Sequence, residues 1–260
     1  MKISRINLLY FSATGVTKKC VLKIAEGIGM DAYDYDLTLY KARKQKYTFN
    51  SDDLVIIGMP VYRGRIPSIA DDFFAAVTAE NAPAVFVVSY GNREYDNALL
   101  ELKDRSEEKG FVGIAAAAFI GEHSSSNLIA TGRPDAEDQI KLFDFGRQIK
   151  EKVAMLTDLE ELTELKVKGM RPYGQDFVNR AAPATNENCD DCGICIQNCP
   201  TLAINPENVR EVKVEKCISC RRCIHLCPQG AKFIADSHSI NFITELVKKA
   251  SMRKEPEIFI

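Results

Sequence analysis

The sequence has no tryptophan, no long apolar run and no excess of charge of either sign. Its 34 basic residues nearly balance 36 acidic ones, so overall charge favours binding neither to nucleic acid nor to an anionic lipid surface. No run approaches the roughly 18 apolar residues of a membrane span, and the first residues lead into a strand pattern rather than a signal sequence. We therefore expect a cytoplasmic protein without a membrane span or a nucleic-acid partner.

Cysteine is also scarce over most of the chain. The first 180 residues contain only Cys20, whereas the other eight cysteines lie between Cys189 and Cys227. Such clustering favours a metal site over the disulfides of a secreted chain. Because Cys20 lies on the apolar stripe of a predicted helix, we predict that it is a buried core thiol and not a ligand.

The first part of the chain alternates short apolar strands with helical patterns. This alternation is typical of a parallel sheet that is covered on both faces. The predicted strands span approximately residues 3–10, 32–37, 54–59, 84–90 and 111–120. Apolar stripes at helical spacing predict the covering helices. The last of these stripes contains Ile140, Phe143, Ile149 and Val153.

The alternation stops near residue 156, where glycine and proline become frequent and the charge is mixed. We predict an α/β domain over residues 1–156, a connector over 157–182 and a small α+β domain over 183–236. Residues 237–260 are predicted to form a C-terminal helix or tail that packs on the rest of the chain.

The eight clustered cysteines form an internal repeat with an offset of 28 residues. Each half reads C-x2-C-x2-C-x3-C-P, which is the spacing of bacterial 4Fe-4S cluster ligands. A zinc site needs only paired C-x2-C spacings, so it would leave a third cysteine and a Cys-Pro in each half unexplained. The candidate metal ligands are Cys189, Cys192, Cys195, Cys199, Cys217, Cys220, Cys223 and Cys227.

This repeat resembles bacterial-type dicluster ferredoxins. The resemblance implies that three cysteines of each run bind one cluster while the fourth reaches the other cluster. One cluster would then have Cys189, Cys192, Cys195 and Cys227 as ligands, and the other Cys217, Cys220, Cys223 and Cys199. Four thiolates complete each cluster, so we expect His225, inside the second run, at the surface or beside the cluster.

A loop rich in serine and threonine joins the first predicted strand to a helix. Backbone N–H groups, the helix N-terminus and hydroxyls would make it a phosphate cradle, although a plain helix cap is the alternative. Its residues are Ser12, Ala13, Thr14, Gly15, Val16 and Thr17. The loop resembles the phosphate loop of flavodoxins, over about the first 155 residues. The resemblance implies a doubly wound parallel sheet of five strands, in the order 2-1-3-4-5, with bound FMN.

Two further loops follow the third and fourth predicted strands. In flavodoxin-like proteins these positions hold the isoalloxazine ring, so the resemblance implies that Tyr62 and either Tyr90 or Tyr95 pack on the ring. Glycines would bring backbone donors close to the ring, and arginines would offset the charge of the reduced flavin. The candidate residues of these loops are Pro60, Val61, Tyr62, Arg63, Gly64, Ser89, Tyr90, Gly91, Asn92, Arg93, Tyr95 and Asp96.

The whole chain resembles a flavodoxin-like flavoprotein fused to a dicluster ferredoxin, a combination found in anaerobic prokaryotes. This implies an electron carrier that passes electrons between two 4Fe-4S clusters, FMN and a partner redox protein. One alternative is an FMN-dependent reductase of a small molecule, with His123, Arg63, Arg65 and Arg93 as candidate acid or substrate-anchoring groups. Another is a ferredoxin whose first domain serves only for docking. The sequence leaves open whether the chain acts as a homodimer.

Overall fold

A computed structural model describes residues 3–159, 162–174 and 181–260. Its strands are β1 (Arg5–Tyr10), β2 (Ala32–Asp36), β3 (Tyr47–Asn50), β4 (Asp53–Pro60), β5 (Val77–Glu80), β6 (Ala82–Tyr90), β7 (Phe111–Ile120), β8 (Ala184–Thr185), β9 (Lys232–Phe233) and β10 (Glu257–Phe259). Its α-helices are α1 (Val16–Ile28), α2 (Ala70–Ala75), α3 (Ala98–Glu107), α4 (Ala136–Met155), α5 (Ile194–Gln197), α6 (Arg222–His225) and α7 (Ser237–Lys249). Short 3-10 turns span Ala42–Lys44 and Val214–Lys216.

A six-stranded sheet with the order β10-β7-β6-β4-β1-β2 forms the centre of the first domain. Strands β2, β1, β4, β6 and β7 are parallel and correspond to the five predicted strands, so the predicted order 2-1-3-4-5 is confirmed. Strand β10 was not predicted, and it pairs antiparallel with β7 at the edge of the sheet. Strands β3 and β5 form a separate parallel pair.

Helices cover both faces of this sheet, which is why β4, β6 and β7 read as nearly continuous apolar runs. Helices α1 and α4 pack on one face, and α2 and α3 on the other. The first pair approaches very closely, because a Cβ atom on Gly27 would lie 2.0 Å from the Phe143 carbonyl oxygen. Cys20 is fully buried in α1, as predicted.

The rotation of α4 differs from the predicted stripe. Ile140 is 62% exposed, whereas Leu142, Phe145 and Ile149 are fully buried. The helix also buries a carboxylate, Asp138, which forms an ion pair with Arg133 at 2.5 Å. Within the described part of the chain, no helix combines the length and the apolar character needed to cross a bilayer.

The small domain repeats its backbone as well as its cysteines. Helices α5 and α6 are offset by 28 residues, and strand β8 pairs antiparallel with β9 beside them. Positive φ angles recur at the same offset in the pairs Asp191 and Ser219, Gly193 and Arg221, and Leu202 and Gly230. The two cysteine runs therefore adopt one loop conformation twice. The predicted connector lies partly outside the described residues, and its boundaries stay a prediction.

The C-terminal segment returns to the first domain after the small domain. Leu246 of α7 and Ala250, directly after it, pack on Ile129, while β10 covers the edge of β7. The side-chain amide of Asn92 donates to the carbonyl oxygens of Ala250 and Met252, at 2.7 and 2.8 Å. This segment covers an edge strand that would otherwise expose unpaired backbone groups, and it attaches the small domain at its C-terminal end.

We expect Tyr95→Phe to lower the free energy of unfolding by about 1–2 kcal/mol, because a hydrogen bond to a charged acceptor is lost in the core. Tyr95 is fully buried, and its hydroxyl donates to Glu257 Oε2 in β10 at 2.7 Å. Tyr33→Phe is the matched control, since Tyr33 is 55% exposed in β2. Anaerobic denaturant unfolding measures both variants. Equal losses of unfolding free energy in the two variants would show that this hydrogen bond does not stabilise the attachment of β10.

Candidate functional site

A cleft lies at the carboxyl ends of β1, β4, β6 and β7, where ligands bind in open α/β sheets. It holds about 470 Å³ of atom-free space, part of it open to solvent. The lining residues are Ala13, Thr14, Val16, Thr17, Pro60, Val61, Tyr62, Ser89, Tyr90, Gly91, Gly121, Glu122, His123 and Ser124. The first ten of these belong to the predicted FMN site, so the fold brings the three predicted loops together.

The loop between β1 and α1 presents a helix N-terminus to this cleft. Gly15 is the N-cap with φ 90°, a left-handed conformation that favours glycine. Ser12 fixes the loop through two hydrogen bonds. Its backbone N–H donates to Thr38 Oγ1, and its Oγ accepts from the Lys18 N–H. The N-cap glycine has no side chain that could accept a hydrogen bond from the N–H groups of the first turn. An anion such as a phosphate fits this open first turn.

The predicted hydroxyls of this loop divide between two roles. Thr17 Oγ1 lies 2.8 Å from Ser89 Oγ, and both side chains are buried, so this pair ties the loop to β6. Ser12 is also buried and lies outside the cleft lining. Thr14 is partly exposed and lines the cleft. Ser12 and Thr17 therefore shape the loop, while Thr14 and Thr17 line the cleft where a ligand would lie.

A tight turn positions Tyr62 at the cleft. The backbones of Tyr62 and Arg65 hydrogen-bond to each other, at 2.8 and 3.2 Å, across Arg63 and Gly64. Both central residues have positive φ, 57° and 81°, which is the conformation of a type I′ turn. A Cβ atom on Gly64 would lie 2.2 Å from Asp96 Oδ2, so only glycine lets this turn pack on the next loop. Neither Arg63 nor Gly64 lines the cleft.

Of the two alternatives for the second stacking tyrosine, Tyr90 lines the cleft and Tyr95 does not. The Tyr95 ring is fully buried, with its centroid 5.5 Å from that of Tyr90. Burial raises the pKa of the Tyr90 hydroxyl well above its ordinary value, and the nearby carboxylate of Glu94 adds to this. Tyr90 therefore faces a ligand as a neutral phenol.

The remaining predicted residues of this loop lie outside the cleft lining. Asn92 is buried and binds the C-terminal segment, while Arg93 forms an ion pair with Asp96. Arg65, a candidate in the reductase alternative, makes a two-pronged ion pair with the buried Glu101, at 2.6 and 2.7 Å. Arg93 finds its partner within the same loop, whereas the partners of Asn92 and Arg65 come from distant segments that no local pattern reveals.

The loop after β7 completes the cleft with residues 121–124, which were not in the predicted FMN site. His123 Nδ1 accepts from the Ser125 N–H at 3.1 Å, so in the neutral ring the proton is on Nε2. Burial lowers the pKa of His123, and the nearby Arg221 lowers it further. His123 can therefore act as a neutral donor at the cleft. Its position after the fifth parallel strand was the sequence signal for this contact.

The cysteines gather in two groups of four. The first group, Cys189, Cys192, Cys195 and Cys227, lines a cavity with about 310 Å³ of atom-free space. In the second group, Cys220 has Cys223, Cys199 and Cys217 as close electrostatic neighbours. The fourth cysteine of each run thus lies with the first three of the other run.

The donor chemistry of both groups fits iron–sulfur clusters. The N–H groups of Ala203 and Ala231 donate to the sulfurs of Cys199 and Cys227, both at 3.2 Å, as they would to a thiolate ligand. Burial raises the pKa of Cys220 to about 12, so the positive charge of bound iron is needed to release its proton. Among the described residues no three ligand-type side chains meet around one single metal ion. A cubane, by contrast, presents four irons at separate corners.

The second group of cysteines lies beside the cleft. Cys220 is part of the main core of the first domain. Tyr62, on the cleft wall, has a pKa raised well above its ordinary value by burial, and the nearby sulfurs of Cys220 and Cys217 add to this. Arg222 Nη1 donates to the Ala13 carbonyl oxygen at 2.8 Å, and His225 Nε2 lies 2.9 Å from the Ser124 carbonyl oxygen. His225 is exposed, as expected, and its ring also contacts the first domain.

Two family models match the chain. Residues 7–119 match a flavodoxin domain, and residues 188–231 match a 4Fe-4S dicluster domain. The chain joins a flavodoxin domain to a 4Fe-4S dicluster domain. The flavodoxin domain implies FMN, and the dicluster domain implies 4Fe-4S clusters. Together they support an electron-transfer role for this iron–sulfur flavoprotein.

Individual proteins resemble one domain or the other. The Protein NrfC homolog of Haemophilus influenzae is 32% identical over 84 residues, which are 30% of this chain and 37% of that protein. A flavodoxin from the domain Archaea is 15% identical, with a TM-score of 0.41, over 58% of this chain and 99% of its own. Reduced Megasphaera elsdenii flavodoxin is 15% identical, with a TM-score of 0.35, over 55% of this chain and 98% of its own.

The lowered pKa of His123 predicts a pH dependence of stability. The unfolded histidine, with a pKa of about 6.5, takes up a proton more readily than the folded one. Stability is therefore fully present above pH 6.5 and declines as the pH falls towards the lower folded value. We expect His123→Gln to flatten this decline.

Anaerobic thermal unfolding between pH 7.5 and 5.5 measures this effect. His238→Gln is the matched control, because His238 is exposed in α7. A decline as steep in His123→Gln as in the control would contradict the burial of a neutral imidazole at the cleft.

Proposed function

We propose that this protein is an electron carrier that moves electrons between two 4Fe-4S clusters and a bound FMN, and on to a partner redox protein. One observation carries the proposal: Tyr62 lines the cleft and lies next to the sulfurs of Cys217 and Cys220. The same side chain thus borders the flavin site and one cluster site. Two separate docking modules would not require this contact.

Each residue then has a defined task. The first turn of α1 anchors the phosphate, Tyr62 and Tyr90 flank the ring, and His123 offers an N–H donor beside it. Each cluster carries one electron, so the two clusters together supply the two electrons that full reduction of one FMN consumes. The sulfurs of the second group hold the cluster nearest the flavin. The first group, with Cys192 exposed, faces an external partner.

The alternatives have less support. An FMN-dependent reductase needs an acid or substrate-anchoring groups at the ring. Arg65 and Arg93 are bound to Glu101 and Asp96, and Arg63 lies outside the cleft lining, so His123 is the one of the four candidates that lines the cleft. A first domain used only for docking would not need the left-handed Gly15 and an open helix N-terminus at the cleft. An electron carrier uses all of these features without a further substrate pocket.

Composition tests the proposal directly. Protein purified without oxygen is expected to contain about eight irons, eight sulfides and one FMN per chain, from two cubanes and one flavin. Iron and sulfide assays, with fluorescence of the released flavin, measure these contents. Colourless material or stoichiometric zinc would overturn the cluster assignment, and clusters without flavin would favour the docking alternative.

The arrangement of the two cysteine groups predicts different effects for two similar substitutions. Cys199→Ser and Cys227→Ser are each expected to remove about half of the iron, because each takes one ligand from one cluster. Only Cys199→Ser removes the cluster beside Tyr62, so electron exchange between the flavin and the one remaining cluster should be far slower in that variant. Flash photoreduction of the flavin, followed by the absorbance of the remaining cluster, measures this difference.

Cys20→Ala is the control, since Cys20 is buried in α1, away from both groups. It should retain full iron content and unchanged electron exchange between the flavin and the clusters. Equal slowing in Cys199→Ser and Cys227→Ser would contradict the order in which we place the two clusters.

A further inference from the structure

Two consecutive arginines of the dicluster domain, Arg221 and Arg222, lie between the cluster ligands Cys220 and Cys223 and reach the rim of the cleft. Arg222 Nη1 donates to the carbonyl oxygen of Ala13, in the phosphate loop, at 2.8 Å, and its Nη2 donates to Asn198 Oδ1 at 3.1 Å. Its Nε is buried without a hydrogen-bond partner among the described residues. The Arg222 guanidinium therefore lies against the phosphate loop, and its Nε–H can donate a hydrogen bond to an anion there.

Arg221 occupies a backbone position that suits glycine. Its φ is 63°, and the equivalent residue of the first half, Gly193, has φ 73°. A left-handed conformation is unfavourable for any L-residue, and glycine is the residue that adopts it readily. The side chain nevertheless is buried, and its Nε lies 3.4 Å from Ser125 Oγ at the rim of the cleft. An arginine in this position places a charge over the cleft at a backbone cost that glycine would avoid.

Among the described residues, the cleft lining includes Glu122 but neither lysine nor arginine to balance a phosphate. Lys18, in the first turn of α1, pairs with Asp34 at 3.1 Å. A helix N-terminus contributes only about half a positive charge, whereas a phosphate monoester carries nearly two negative charges. Arg222 of the dicluster domain brings a further positive charge against the phosphate loop.

We propose that Arg222, supported by Arg221, belongs to the FMN phosphate site, so that the flavodoxin domain holds its cofactor fully only when the dicluster domain is docked. This inference rests on the proposed function, because it requires FMN in the cleft. The alternative is that both arginines serve only to dock the two domains. The two ideas differ in their dependence on the phosphate group.

Binding of FMN and of riboflavin, which lacks the phosphate, to the full chain separates them. We expect Arg222→Gln to weaken FMN binding about tenfold or more, as for loss of a charge-assisted hydrogen bond, with little change for riboflavin. Arg222→Lys should retain most of the FMN affinity, because it keeps the charge. FMN binding to the unaltered chain should weaken with salt more steeply than binding to Arg222→Gln. Flavin fluorescence quenching measures all these affinities.

Arg210→Gln is the matched control. Arg210 lies in the same domain, where it pairs with Asp191 at 2.7 Å beside the first cysteine group, and its loss should leave FMN affinity unchanged. Iron content checks that each variant still assembles its clusters. Equal losses for FMN and riboflavin in Arg222→Gln, or no loss for either, would overturn the inference. Failure of the unaltered chain to bind FMN would instead refute the proposed function.

Discussion

The docking of the second cysteine run onto the carboxyl edge of the parallel sheet is the contact on which the rest depends. Hydrogen bonds from Arg222 and His225 reach the loops after β1 and β7, and Arg43 donates to the Pro200 carbonyl oxygen from the opposite side. Because Cys220 is buried in the core of the flavodoxin domain, this contact is not a loose encounter between surfaces. Flavin site and cluster site become neighbours only through it.

The C-terminal segment explains how a small domain stays on that edge. A tether at one end would leave the dicluster domain free to swing, whereas α7 and β10 return the chain to the flavodoxin domain. The side-chain amide of Asn92 donates to the Met252 carbonyl oxygen, and Arg133 donates to the Lys254 carbonyl oxygen at 2.8 Å. Closing both ends keeps the effective concentration of one redox site at the other high. The loop residue Asn92 therefore contributes to the flavin site indirectly, by fixing the domain that covers it.

Patterns within short stretches of the sequence predicted the features that those stretches determine by themselves. The five parallel strands follow from apolar runs, and the left-handed Gly15 follows from a loop of serine, threonine and glycine after the first strand. Partners distant in sequence decided the rest. Tyr95 looked like a stacking residue, yet its hydroxyl binds Glu257, 162 residues away. Ile140 was predicted to lie in the core, yet it is exposed, and α4 buries Asp138 against Arg133.

The departures from the cysteine repeat show which half of the small domain faces the flavodoxin domain. At the 28-residue offset, Gly193, Ile194 and Gln197 of the first half correspond to Arg221, Arg222 and His225 of the second. These three replacements are the side chains that bind the flavodoxin domain.

Comparing the two halves at the 28-residue offset also identifies an apolar contact with the flavodoxin domain. Asp190, which is exposed, corresponds to Ile218, which packs on the flavodoxin core. Two halves built for the same cluster chemistry have no reason to differ in this way unless one is buried against a partner. Asymmetry within a duplicated sequence is therefore a physical signal of an interface, and here it can be read without any structure.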